Sequence, residues 1–205
     1  MTSATFTHTG LANRNDYYYV VSASNRVGEG PDSAQVQAAP AAADASQVQL
    51  ALQYRSADTA DNDRQIQPQF NIRNTGKTPV SLSDLKLRYY FTAEGTGTVE
   101  AKIDWAQFGI ENVQASVVQH AGSDKSAYVE VGFLEAAGTI RPDTTAGNIQ
   151  LRIVHSDGSA FDKTNDYSFD PAKTSYTEWD KITLYLNGEL VWGIEPEASK
   201  PWPSE

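Results

Sequence analysis

The chain has 205 residues, no cysteine, four Trp, ten Tyr and seven Phe, with 26 acidic against 16 basic residues for a formal charge of −10. The absence of cysteine excludes a disulfide scaffold, a thiol nucleophile and any thiolate metal site, and the negative charge argues against a general nucleic-acid binder, whose affinity rests on neutralising phosphates. No apolar run approaches the roughly 18–20 residues that cross a bilayer, and 40% hydrophobic with 20% charged residues is an ordinary globular composition.

Near the N-terminus, Tyr17-Tyr18-Tyr19-Val20-Val21-Ser22-Ala23 combines aromatic and β-branched residues, as strands prefer. Asn25 to Gly30 supplies turn residues, and Ser33 to Ala38 alternates like a further strand. Small residues then run from Ala38 to Ser46 around Pro40; they bury little surface, so residues 41–46 read as a linker.

Beyond the linker the period is two almost everywhere. Val48, Leu50, Leu52 and Tyr54 fall on one face, with Gln49, Ala51 and Gln53 on the other. Phe70 to Arg73 alternates and ends in the turn Asn74-Thr75-Gly76. Leu85 to Phe91, Tyr128 to Phe133 and Ile149 to Ile153 follow the same rule. Ile182 to Leu186 and Glu189 to Trp192 flank Asn187-Gly188, a strong hairpin signal because a type I′ turn needs positive φ at both central residues. Helical spacing over three turns appears nowhere. Many short strands with polar alternate faces predict an all-β, antiparallel sandwich. Residues 198–205, with Pro201 and Pro203 around Trp202, read as a tail or a further linker.

Two resemblances refine this. Residues 1–40 resemble the C-terminal part of a fibronectin type III domain, on Thr9-Gly10-Leu11, Tyr17, Val20, Ala23, Asn25 and Gly28. In that family the Leu and Tyr form a tyrosine corner. The family's first strands and core Trp have no counterpart, so the segment is expected to be a fragment. Residues 47–197 carry, in order, Ile66-Gln67-Pro68-Gln69-Phe70, Asn74-Thr75-Gly76, Leu87-Arg88-Tyr89-Tyr90-Phe91-Thr92, Asp104-Trp105-Ala106-Gln107, Gly147-Asn148-Ile149-Gln150-Leu151-Arg152, Thr164-Asn165-Asp166-Tyr167-Ser168-Phe169 and Tyr185 to Gly193. With these motifs the segment resembles a family 3 carbohydrate-binding module. The resemblance implies a jelly-roll topology, one structural calcium, cellulose or a related β-glucan as ligand, and secretion. A catalytic domain of the same polypeptide is the second partner it implies.

Calcium takes six to eight oxygen ligands. Asp162, Asn165 and Asp166 place three oxygen-bearing side chains within five residues. The resemblance sets Thr92 and Glu94, from the end of another strand, opposite them. Against this stands a plain turn capped by Asn165-Asp166. Asp61-Asn62-Asp63 lacks the Gly and distal Glu of an EF-hand loop and reads as a solvated turn.

Cellulose offers flat rows of sugar rings, which call for exposed aromatic rings with polar groups between them. The resemblance assigns such a strip to Asp104, Trp105 and Arg152, with Gln150 as a polar anchor on the same strand face as Arg152. The alternative for Trp105 is a core tryptophan under a loop. Two family features are absent. Ser156-Asp157-Gly158-Ser159 stands where a strip Trp is usual, and the loop that carries the strip Tyr has no counterpart between Trp105 and Val113. The resemblance also matches Arg88, Tyr90, Tyr128 and Tyr167 to a shallow groove, although cross-strand aromatic pairing explains them equally simply.

Nothing in the sequence suggests catalysis. The carboxylates sit on turns and polar strand faces, and His8, His120 and His155 have neither metal spacing nor a nucleophile motif nearby. Two functions follow: a non-catalytic module that targets an enzyme to cellulose, or a strip-deficient accessory module that packs against a cellulase catalytic domain. An adhesion or spacer role has no supporting feature in residues 47–196.

Overall fold

A computed structural model of the chain describes residues 6, 8, 11, 15–39, 48–95, 97–119 and 126–197. Residues 41–46 and 198–205 lie outside these, as do Thr9, Gly10 and His120, so neither the linker nor the tail is described. The chain divides into two compact units, Met1–Ala42 and Ala43–Glu205.

In the first unit the strand Tyr17–Tyr19 pairs antiparallel with Val36–Ala38, and Ser24–Asn25 pairs with Gly28–Glu29. His8 lies edge-on to both Tyr17 and Tyr19, and its Nδ1 is 3.0 Å from the Tyr19 hydroxyl. Val21, Val27 and Val36 are exposed, as expected where so few strands have no second layer to cover them.

The second unit is built from ten main strands: β1 (Leu50–Ser56), β2 (Pro68–Asn74), β3 (Leu85–Thr92), β4 (Val99–Ala106), β5 (Val113–Gln119), β6 (Ser126–Phe133), β7 (Ile149–His155), β8 (Thr177–Glu178), β9 (Ile182–Leu186) and β10 (Glu189–Trp192). One sheet has the order β5-β6-β3-β9-β10 and the other β4-β7-β2-β1-β8. Every ladder in them is antiparallel. Sequence neighbours thus lie in opposite sheets at several points, the jelly-roll way of closing two layers over one core.

The period-two pattern dictates what fills that core. Leu52, Tyr54, Phe70, Ile72, Leu151 and Ile153 from one sheet meet Leu87, Tyr89, Phe91, Val129, Val131 and Leu184 from the other. Tyr54, Phe70 and Tyr89 pack with ring centroids 6.0–6.3 Å apart. At roughly 1.5–3 kcal/mol for each fully buried large side chain, this layer supplies the main driving force for folding. The β9–β10 hairpin turns at Asn187 and Gly188, with φ of 52° and 87°, as a type I′ turn requires.

Candidate functional site

The outer face of the β4-β7-β2-β1-β8 sheet carries the predicted strip residues. On β4, Val99, Ala101 and Ile103 face the core. Simple alternation would send Trp105 inward as well. A bulge between Ile103 and Trp105 inserts Asp104 as an extra residue, so Ile103 opposes Leu151 while Trp105 opposes Gln150. The bulge reverses the alternation: Trp105 turns outward and Ala106 takes the buried position. Trp105 is 54% exposed.

Arg152 projects from the outward positions of β7, two residues beyond Gln150, and its Nε lies 3.0 Å from Asp104 Oδ1. Both side chains are close to half exposed, so the pair adds at most about 1 kcal/mol to stability. Its consequence is geometric: it fixes the polar edge beside the Trp105 ring. Asp104, Trp105, Arg152 and Gln150 are therefore brought together on one surface.

The polar surface continues across the sheet. Gln150 opposes Gln69, and Gln69 opposes Arg55. In the next row Asn71 opposes Gln53, and the Asn71 amide donates to Gln53 Oε1 at 3.2 Å. The Gly147 N–H donates to Asn71 Oδ1 and fixes the other side of that amide. No motif marks Gln53, Gln69 and Asn71 as ligand contacts; their one sequence signal is that all three fill the outward register with uncharged amides. The two missing rings are absent from this face too. Asp157 Oδ1 accepts from the Ser159 N–H and hydroxyl in a tight turn at Gly158. Phe108, the one ring between Trp105 and Val113, packs on Phe133 with centroids 5.7 Å apart.

A second cluster lies where β3 ends against the turn Asp162–Asp166. The Thr92 N–H donates to Asp166 Oδ1 at 2.7 Å, and the Asn165 amide donates to Glu94 Oε1 at 2.7 Å. These two bonds leave four buried oxygens with no hydrogen-bond partner: Thr92 Oγ1, Glu94 Oε2, Asn165 Oδ1 and Asp166 Oδ2. Burial raises the Asp166 carboxyl well above the usual carboxylate range, and the charges of Glu94 and Asp162 add to the effect. Oxygen atoms alone, two of them from carboxylates, are the donor set of a hard cation. The residues present therefore fit calcium.

The set is mixed in chemistry: among the described residues no three His, Asp or Glu side chains gather to hold a metal by themselves. Asp162 plays a different part from the other four. Its exposed carboxylate caps the short 3-10 turn Lys163–Asn165, accepting from the Thr164 N–H and hydroxyl at 3.1 and 2.6 Å. The turn-capping alternative thus describes Asp162, whereas Asn165 and Asp166 point their remaining oxygens into the cluster. No motif in the sequence marks Lys163, which lies between Asp162 and Asn165 in the chain and whose fully buried ammonium pairs with Asp58 at 2.5 Å.

A family model for "Cellulose binding domain" matches residues 51–193. The chain belongs to this family of carbohydrate-binding modules, family 3. A protein from Paenibacillus lautus encoded in the celA 5′ region is 49% identical over 145 residues, covering 71% of this chain and 100% of that protein. Endoglucanase A of Paenibacillus lautus is 49% identical over 148 residues, 72% of this chain but only 21% of the endoglucanase. Among solved structures, the CBM3b of the major scaffoldin subunit ScaA from Acetivibrio cellulolyticus superposes with a TM-score of 0.68 at 36% identity, covering 72% of this chain and 97% of that one. The second unit is thus a non-catalytic cellulose-binding module with the β-sandwich fold predicted for it.

On the module's other sheet, Arg88 lies between the rings of Tyr128 and Tyr185, 4.6 and 4.4 Å from their centroids, and pairs with Glu130 at 3.0 Å. Tyr90 faces Tyr128 directly across β3 and β6, and the Tyr90 and Thr183 hydroxyls are 2.7 Å apart. Tyr167 packs edge-on to Tyr90 and donates to the Ile194 carbonyl. The Tyr185 hydroxyl hydrogen-bonds Glu195. These are cross-strand contacts, closed over by the segment that follows β10.

Proposed function

We propose that the module holds a polysaccharide-degrading enzyme of the same polypeptide on cellulose outside the cell, with Trp105 as its principal stacking ring. The outward rotation of Trp105 by the Asp104 bulge carries this reading. Sugar faces stack on an exposed indole, and a glutamine-lined sheet offers hydrogen bonds to the hydroxyl rims. Tethering then makes the encounter between enzyme and polymer effectively intramolecular. Relatives in which a module of this kind forms a minor part of an endoglucanase support a catalytic partner and an extracellular setting, where an insoluble polymer is met. Calcium bound by Thr92, Glu94, Asn165 and Asp166, with Asp162 capping the adjoining turn, would join β3 to the Asp162–Asp166 segment and serve as a structural clamp.

The test is a fusion to a cellulase catalytic domain. The module should raise hydrolysis of insoluble cellulose and leave hydrolysis of a soluble substrate unchanged, and Trp105→Ala should abolish the gain. An undiminished gain from Trp105→Ala would favour the accessory reading, in which the module assists the catalytic domain by packing against it. The ring-free turn at Gly158 is the observation on that side.

A further inference from the structure

The row of outward side chains that begins at Trp105 does not end at Arg55. Thr177 opposes Tyr54 and Glu178 opposes Gln53 in the β1–β8 ladder. Continuing that register by one residue sets Tyr176 beside Arg55, on the face where Arg55, Gln69, Gln150 and Trp105 stand. The Tyr176 hydroxyl confirms the placement by donating to Gln69 Oε1 at 3.4 Å. The residue is partly exposed. Arg55 stands between the two, opposite Gln69 in the β1–β2 ladder.

The row crosses the whole sheet from β4 through β7, β2 and β1 to the β8 edge. Four strand intervals at about 4.8 Å give a length of about 19 Å. One strand interval is close to the length of one β-1,4-linked glucose unit. A chain lying across the strands therefore meets a fresh side chain at nearly every sugar: an aromatic ring at each end, and glutamine, glutamine and arginine between.

We propose that Tyr176 is a second stacking platform, forming with Gln69 and Arg55 a distal subsite for the same β-glucan chain that stacks on Trp105. This rests on the reading of the outer sheet face as the cellulose-binding surface. The contact to Gln69 is long at 3.4 Å, so it places the ring beside Gln69 and leaves the ring face itself as what the subsite contributes. With Trp105 alone the face would grip one sugar; with Tyr176 it reads several consecutive sugars, so affinity depends on an extended, straight chain.

The test is adsorption of Tyr176→Leu, Tyr176→Phe and Trp105→Ala to microcrystalline cellulose, with melting curves to establish that each variant is folded. Leucine keeps the apolar bulk at the sheet edge and removes only the ring. Tyr176→Leu should weaken adsorption roughly five- to a hundredfold, the range for one stacked ring, while Tyr176→Phe stays close to wild type. Wild-type adsorption by Tyr176→Leu, with loss by Trp105→Ala, would overturn the distal subsite and leave the Trp105 reading standing. Wild-type adsorption by both variants would overturn both. Loss by Tyr176→Leu alone would overturn the two-ended row.

Discussion

Chelating calcium is expected to lower the melting temperature of the module by roughly 8–16 °C. Four buried oxygens, Thr92 Oγ1, Glu94 Oε2, Asn165 Oδ1 and Asp166 Oδ2, have no hydrogen-bond partner. A buried polar atom left unsatisfied costs roughly 1–3 kcal/mol, so the cluster supplies a deficit of about 4–12 kcal/mol for a cation to relieve. A ligand held at a thousand times its Kd stabilises by about 4.1 kcal/mol, at the low end of that range. For a domain of this size each kcal/mol moves the melting temperature by about 2–4 °C, which gives the stated shift. The assay is thermal unfolding in excess calcium and in excess chelator, on protein shown to be metal-loaded beforehand. Thr92→Val sharpens it, because valine removes one ligand oxygen and keeps the Thr92 backbone bond to Asp166. In calcium the variant should be less stable than wild type; in chelator it should be equal or more stable, since an unsatisfied hydroxyl has gone. No shift on chelation, or an equal loss from Thr92→Val in both conditions, would refute the reasoning.

Asp58→Ala should destabilise by about 3–5 kcal/mol, because it strands the fully buried Lys163 ammonium without its partner; chemical denaturation measures this. Burial pushes the Asp58 carboxyl upward, but the Lys163 ammonium and the Ala60 N–H overcome it and hold it below the ordinary range. The stabilisation from this group is therefore complete above about pH 4 and lost as the pH falls through the depressed value. Asp58→Asn should accordingly flatten the acid limb of melting temperature against pH. Gly193 has φ of 86°, and a Cβ there would lie 2.1 Å from the Ile182 carbonyl oxygen. Gly193→Ala should cost at least about 1–3 kcal/mol by the same measurement, whereas a loss near zero would mean that the backbone relaxes freely there.

The sheet architecture was legible because burial on one face writes itself into alternate residues. Leu50, Leu52 and Tyr54 are buried as the pattern demands, and Asn187-Gly188 turns where its positive φ values permit. Trp105 is the instructive exception. Alternation from Ile103 predicts it inside, and only the pairing of β4 with β7 reveals the extra residue that sends it out. A bulge is a property of two strands, so one strand's sequence does not announce it. The Asp58–Lys163 pair joins residues 105 positions apart, and a buried lysine has no sequence signature that separates it from a solvated one. Tyr176 escaped for a related reason: a strand as short as β8 has no period to read, and its face is set by the Arg55 and Gln69 it lies against. The buried oxygen cluster was half legible. Asn165 and Asp166 are adjacent in sequence, but Asp162 as a turn cap and Asn165 and Asp166 as bearers of unpaired oxygens separate only when the hydrogen bonds are counted.

The central claim, that the bulge-rotated Trp105 is the principal contact with cellulose, is tested most directly by equilibrium adsorption of calcium-loaded wild type and Trp105→Ala on microcrystalline cellulose. Loss of one stacked ring should weaken binding by about 1–3 kcal/mol, roughly five- to a hundredfold in the partition constant, with the melting temperature unchanged because the side chain is already half in solvent. Equal unbound fractions for the two proteins would contradict the account.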